Sequence, residues 1–540
     1  MSFRNTFPSR RRLALLPASA VAAALVLAGP AQAGTGHQPG FHGLTPGNLL
    51  VSGSTYTGDP GIVAGQTVLP PGCTTGCVTA TADGTYPQVF NNVLADPSFG
   101  VTSTITLTEL SPSGRTLGAL AVPSASSDGR AVTSFSSKSE LALNLSTDGR
   151  YVTFMGYDAA PDSVDVSNSN TPGAVDPTNP VPGADYRVVA RLGADGRFQF
   201  TNANAYSGNN GRAAILNDRT GEYYTAGNAG NGSSPQPAGI VLGAGAQLIR
   251  SSWRPQALQH PGLPTPVGSF SVTQLGDSAD KVGKDDNFRG LTEYDNVLYY
   301  SKGSGSNGVN TVYFLDTTGK ACPSGVGLPV PGAPLPTSPL AYNPATVDSA
   351  GLPSNLCVLQ GFPTALKSST SFPFGLWFAG PRTLYVADEG NGDNTYSTTT
   401  GTYTTAAGQA TAGLQKWVLA GGSWHRAYTL SGGLDLGTPY TVPGYPTGDN
   451  AATGLPWAPA TDGLRNITGR VNRDGTVTVY AVTSTVSGGG DQGADPNKLV
   501  TVTDRAAATA AAAGETFHTV RAAGSGQVLR GVSVTPGTRS

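Results

Sequence analysis

The chain has 540 residues and a formal net charge of −2, with 32 Lys and Arg set against 34 Asp and Glu. That balance gives no general electrostatic attraction to nucleic acid or to an anionic membrane surface. Charged residues make up only 12%, while 73 Gly and 41 Pro punctuate a remainder rich in Thr, Ser, Val, Leu and Tyr; short strands joined by many turns need this mixture, and a helical domain would need more Glu, Lys and Arg.

Residues 1–33 read as an export leader. Arg4, Arg10, Arg11 and Arg12 precede an apolar run at 13–28, and Ala31-Gln32-Ala33 supplies small residues for cleavage. Ser9-Arg10-Arg11 fits a twin-arginine signal, and the Arg-rich start fits the general secretory route as well. The expected organisation is a leader at 1–33, a flexible segment at 34–45 and one domain at 46–540. No later apolar stretch approaches the twenty residues of a membrane span, so the product is expected to be secreted.

An oxidising compartment suits the four cysteines. Cys73 and Cys77 lie close together in PPGCTTGCVT, and Cys322 and Cys357 flank a Pro-rich excursion. Four cysteines allow three pairings, and the most local is 73–77 with 322–357. The zinc alternative is disfavoured by the lack of a His near either pair.

A unit of short strands then recurs along the chain. It is seen in ELALNLS-TDG-RYVTFMGYD, continuing to RVVARL-GADG-RFQFTNA (140–203), and in FPFGLWFAG-PR-TLYVADEG, continuing to GLQKWVLA-GG-SWHRAYTL (372–430). A weaker copy spans 463–522. Four-stranded antiparallel units in series, none able to bury its faces alone, predict an all-β fold: a single β-propeller. Six units begin at Leu141, Arg212, Arg289, Phe374, Arg465 and Arg530. The last cannot be completed by the few residues that follow, so strands near 48–52, 102–110 and 116–122 are expected to finish it and close the ring from both ends. Six blades is the count; an unassigned strand at 267–274 leaves seven as the alternative. Asp148-Gly149, Asp195-Gly196, Asp474-Gly475 and Ser113-Gly114 mark tight hairpins. A helix is expected only in the Ala run at 504–514.

The runs ITLTELSPSGRTLGALAVPS, ELALNLSTDGRYVTFMGYDAAP, NAYSGNNGRAAI, TLYVADEG with GLQKWVL, and VLRGVSVTP resemble a family of large exported bacterial proteins of propeller type whose function is not established. The resemblance implies the fold and carries over no catalytic residue.

Long polar connections at 54–100, 158–185, 228–237, 302–310, 388–413 and 484–498 follow second strands. In a propeller these share one face with the starts of the inner strands, which is where loop-borne function is expected. Arg212, Arg289, Arg465 and Arg530 hold matching positions at four inner-strand starts. Grouped at the channel, their guanidinium forks suit carboxylate, sulfate or phosphate; the structural alternative pairs each with a neighbouring Asp such as Asp462 or Asp286. Lys302 joins the arginines as a candidate anion ligand, and for a lyase or hydrolase a Tyr or Lys302 is the candidate base. Asp388, Glu389 and Asp393 in DEGNGDN are hard oxygen ligands of the kind calcium takes, without the EF-hand spacing. Motifs for a serine nucleophile, a zinc protease, haem attachment or a phosphate loop are missing, and of five His only His260 sits in a predicted loop. Two functional readings follow: a non-catalytic extracellular module that recognises a glycan or protein through its loops, or an extracellular lyase or hydrolase acting on an anionic carbohydrate or ester.

Overall fold

The structure, a computed structural model, describes residues 43–56, 61–63, 65–69, 77–79, 100–125, 129–179, 181–228, 245–252, 287–303, 309–338, 356–365, 371–489 and 492–538. The leader at 1–33, Cys73, His260, Asp286 and the strand expected at 267–274 lie outside them.

Six small antiparallel sheets form a six-bladed β-propeller. Blade 1 joins the two ends of the chain: Gln527–Val534 is innermost, followed outward by Leu49–Thr55, Thr102–Leu110 and Thr116–Ala121. Its register sets Leu49 against Val534 and Val51 against Val532, so the expected closure is present. Blade 2 is Asn144–Leu145, Tyr151–Tyr157, Arg187–Gly193 and Phe198–Ala203. Blade 3 contributes Gly211–Asn217, Glu222–Gly227 and Ala246–Arg250. Blade 4 runs through Gly290–Tyr294, Val297–Lys302, Thr311–Leu315 and Leu356–Leu359, with Val326–Gly327 added in parallel at its edge. Blade 5 is Pro373–Gly380, Thr383–Asp388, Gly413–Ala420 and Ser423–Leu430; blade 6 is Ala460–Val471, Thr476–Val486, Lys498–Arg505 and His518–Ala522.

Each innermost strand touches the next in cyclic order, and the sixth touches the first. The Arg-Gly pairs at 289–290 and 530–531 have a physical reason in this packing. A Cβ on Gly290 would lie 2.0 Å from the Phe374 carbonyl oxygen, and one on Gly531 would lie 2.2 Å from that of Leu141, so only glycine lets neighbouring inner strands approach this closely. Apolar side chains pack between blades in successive layers. Leu107, Leu143 and Phe154 fill the gap between blades 1 and 2, Met155, Val189 and Leu216 that between 2 and 3, and Leu414, Leu464 and Val479 that between 5 and 6. Gly149 and Gly475 sit at φ of 73° and 80° in their hairpins, as the Asp-Gly pairs require.

The expected helix at 504–514 is not there. Lys498–Arg505 extends as a strand, and the residues after it form turns leading to His518–Ala522. The Ala run is mostly exposed, and a short helix with no face to bury is marginal in water. The one α-helix among the described residues is the single turn Thr404–Ala407. The bond between Cys322 and Cys357 is formed, with Cα atoms 6.0 Å apart. Cys77 is also disulfide-bonded.

Candidate functional site

The site is built by a stretch of chain that must travel from the rim of blade 1 to the axis. After Thr116–Ala121, residues 129–143 return across the loop face. Thr133–Ser134 pairs with Thr102 and Ser103, and Val132 bridges Tyr157. The sequence FSSKSE (135–140) then reaches four blades at once. The Phe135 carbonyl accepts from the Arg530 guanidinium of blade 1 at 2.6 Å. The Ser137 hydroxyl accepts from Asn210, just before blade 3, at 3.4 Å. Ser139 accepts from Arg289 at the start of blade 4, and the Lys138 ammonium lies 4.0 Å from Glu389 at the end of the second strand of blade 5. Only a segment lying over the axis of the ring can have this set of neighbours.

Two of the four matching arginines meet here. Arg465 Nε donates to Glu389 Oε2 at 3.2 Å, and Arg289 acts on both Lys138 and Glu389 through its field. The other two turn to their own neighbours. Arg212 donates to the Phe288 carbonyl at 2.7 Å and to Asn210 and Asn287. Arg530 donates to the carbonyls of Phe135 and Gly493, each at 2.6 Å. Lys302 is fully buried, with Nζ 3.3 Å from Asn310 Oδ1.

Three cations, Lys138, Arg289 and Arg465, thus surround one carboxylate. Burial alone would raise the Glu389 carboxyl, but these three together hold it below its ordinary value. Glu389 in turn supports the charge of Lys138, yet burial and the two guanidiniums outweigh it and leave the amine below its usual pKa. Behind the cluster, burial pushes Asp388 up to about 7 and Asp462 up to about 6. Asp462 accepts from Gly392 N at 2.8 Å and Gln409 Nε2 at 2.6 Å, not from an arginine.

The three carboxyls read as calcium ligands point in different directions. Asp388 accepts from Phe372 N, Gly390 N and Gln415 Nε2, Glu389 faces Arg465, and Asp393 accepts from the amide and hydroxyl of Thr395 at 2.8 and 2.6 Å. Among the described residues, the one trio of ligand atoms within 4.8 Å is Asp316 with Cys322 and Cys357, whose sulfurs are bonded to each other. His425 and His518 are exposed on the outermost strands of blades 5 and 6.

The surrounding loops are tied down. Asn394 donates to the Ser487 carbonyl, Gln492 to that of Gly392, and the hydroxyl of Tyr445 to Asp495. In blade 2 the fully buried Arg187 donates to the carbonyls of Ser167, Ser169, Asp185 and Asn209, so a guanidinium sits at the centre of a polar loop. Sequence reasoning missed both Lys138 and Arg187. Lys138 had a signal, as a cation shortly before an inner strand, but it falls three residues before Leu141, which holds the position shared by the four arginines.

No protein-family model and no curated protein matches the chain. Among solved structures, a protein from Lactobacillus plantarum is similar at 10% identity over 90% of this chain and 99% of its own, with a TM-score of 0.31. An ulvan lyase from a new polysaccharide lyase family, bound to -[GlcA(1-4)Rha3S]-, is similar at 12% identity over 84% of this chain and 96% of its own, with a TM-score of 0.29. The fold class rests on the six sheets and the cyclic contact of their inner strands.

Proposed function

We propose that the protein is an extracellular binding module that takes an acidic glycan on its loop face. The observation that supports this reading is the cluster over the axis, where Lys138, Arg289 and Arg465 gather around the carboxylate of Glu389. A locally positive centre on a chain of formal charge −2 attracts anionic groups by field and not by bulk charge. Loops cross-bonded before any ligand arrives lower the ordering cost of binding. The disulfide and the leader-like N-terminus fit an extracellular place of work.

A second reading, a lyase, is favoured by the lowered pKa of Lys138 beside two guanidiniums. An amine in that setting can take a proton from carbon next to a carboxylate that arginine neutralises. One experiment separates the two. Purified mature protein is passed over immobilised uronate-containing, sulfated and neutral polysaccharides while soluble chains are followed for size and for ultraviolet-absorbing unsaturated ends. Retention on the acidic chains without shortening supports the binding module. Shortening with unsaturated ends replaces it by the lyase, and equal behaviour on neutral and acidic chains refutes the acidic-glycan reading.

A further inference from the structure

We infer that Lys138 is the residue that grips the ligand, holding one sulfate or carboxylate group above Arg289 and Arg465; this rests on the acidic-glycan reading and names the contact within it. Among the cations of the cluster, Lys138 differs in two ways. Its side chain is 30% exposed, whereas that of Arg465 is 5% exposed and Arg289 is buried. It is also under-used: an ammonium has three donors, and the nearest carboxylate oxygen, at 4.0 Å from Nζ, lies beyond hydrogen-bond range. No hydrogen bond from its side chain to another described residue is present.

Glu389 feels the charge of Lys138, but its hydrogen bond comes from Arg465, at 3.2 Å. An incoming anion can therefore take the ammonium without stripping Glu389 of its partner. The two guanidiniums beneath cannot reach outward in the same way. Arg289 is committed to Ser139 and Arg465 to Glu389, so both contribute field. Charge-assisted hydrogen bonds from a partly shielded ammonium are among the stronger polar contacts. A single oxyanion group, borne on a sugar, matches one ammonium presented over the axis by the 135–140 segment.

The test uses sodium sulfate and sodium glucuronate as probes, titrated calorimetrically into mature protein at fixed ionic strength set with chloride. Wild type is expected to bind both saturably. Lys138→Gln should raise the dissociation constant about tenfold or more, while Lys138→Arg keeps it within about threefold, since the lost contact is a charge-assisted one. Melting curves of both variants establish that they are folded, and Lys138→Arg still reports on the charge if Lys138→Gln does not fold. Unchanged affinity in folded Lys138→Gln overturns the assignment and leaves the acidic-glycan reading standing. A folded Lys138→Arg that binds as weakly as Lys138→Gln overturns it as well. If wild type is retained by acidic polysaccharide but binds neither small anion, the single-group contact is refuted. If it binds neither the anions nor any acidic polysaccharide, the proposed function itself falls.

Discussion

Removing residues 527–540 should unfold the whole propeller. The deleted strand is the innermost of blade 1, paired with Leu49–Thr55 on one side and packed against its neighbours in the ring on the other. It buries Val528, Leu529 and Val532, each of which contributes about 1.5–3 kcal/mol on leaving water. The backbone of Leu529 exchanges hydrogen bonds with the side chain of Asn497, and the Arg530 carbonyl accepts from Asn466; such bonds add about 1 kcal/mol each. The apolar part alone is about 5–9 kcal/mol, comparable with the whole stability of a typical domain at about 5–15 kcal/mol. The deletion also uncovers the pairing edge of Leu49–Thr55, an aggregation hazard. A protein ending at Gly526 should therefore lack a cooperative melting transition by circular dichroism and tryptophan fluorescence, and adding the 527–540 peptide should restore part of it. A truncated protein that melts cooperatively within a few degrees of the full chain would refute closure of the ring by its two ends as the source of its stability.

Lys416 and Asp504 form a fully buried pair at 3.0 Å between blades 5 and 6, with the hydroxyls of Tyr385 and Tyr428 donating to the carboxylate. Lys416→Met should cost about 3–5 kcal/mol in urea unfolding at neutral pH, because it leaves a buried carboxylate without its cation. Burial raises Asp388 to about 7 and both Asp462 and Asp495 to about 6. Their folded values lie above the ordinary carboxylate value, so the stability they contribute is full below about pH 4 and is lost as pH rises through 6 to 7. For Asp388 alone the span is about 4 kcal/mol. Glu389 acts in the opposite sense, its contribution being lost only as pH falls through its lowered value. The melting temperature should thus be higher at pH 5 than at pH 8. Sulfate should bind more tightly at pH 5 as well, because protonating Asp388 and Asp462 leaves Lys138, Arg289 and Arg465 opposed by Glu389 alone; affinity that is equal or weaker at pH 5 would contradict this. Replacing Cys322 and Cys357 together by Ser should lower stability by about 4 kcal/mol, as the chain-entropy model requires for a loop closed over a separation of 35 residues.

The sequence by itself determined the repeat, the hairpins and the closure. Asp-Gly pairs demand positive φ wherever they fall, and the inner strand at Arg530 repeats the pattern of the other unit starts and pairs with Leu49–Thr55. It also placed four arginines at equivalent positions, since equivalent positions in a repeat recur in space. Which of the four would meet was not legible. Arg212 and Arg530 are taken by carbonyls and amides of neighbouring segments, and those acceptors are set by long, irregular connections that differ from blade to blade. Glu389 stood out in sequence as part of an acidic loop, yet its partner is Arg465, 76 residues away. Lys138 reaches the axis because residues 129–143 must cross from the rim of one blade to the inside of the next. That path is fixed by backbone bonds such as Phe135 N to Val101 O at 2.8 Å, and no local pattern encodes it. Strand periodicity and turn chemistry are local properties and are written in the residues that carry them; a cluster of charges gathered from three blades and a crossing segment is defined by distances that exist only once the ring has closed.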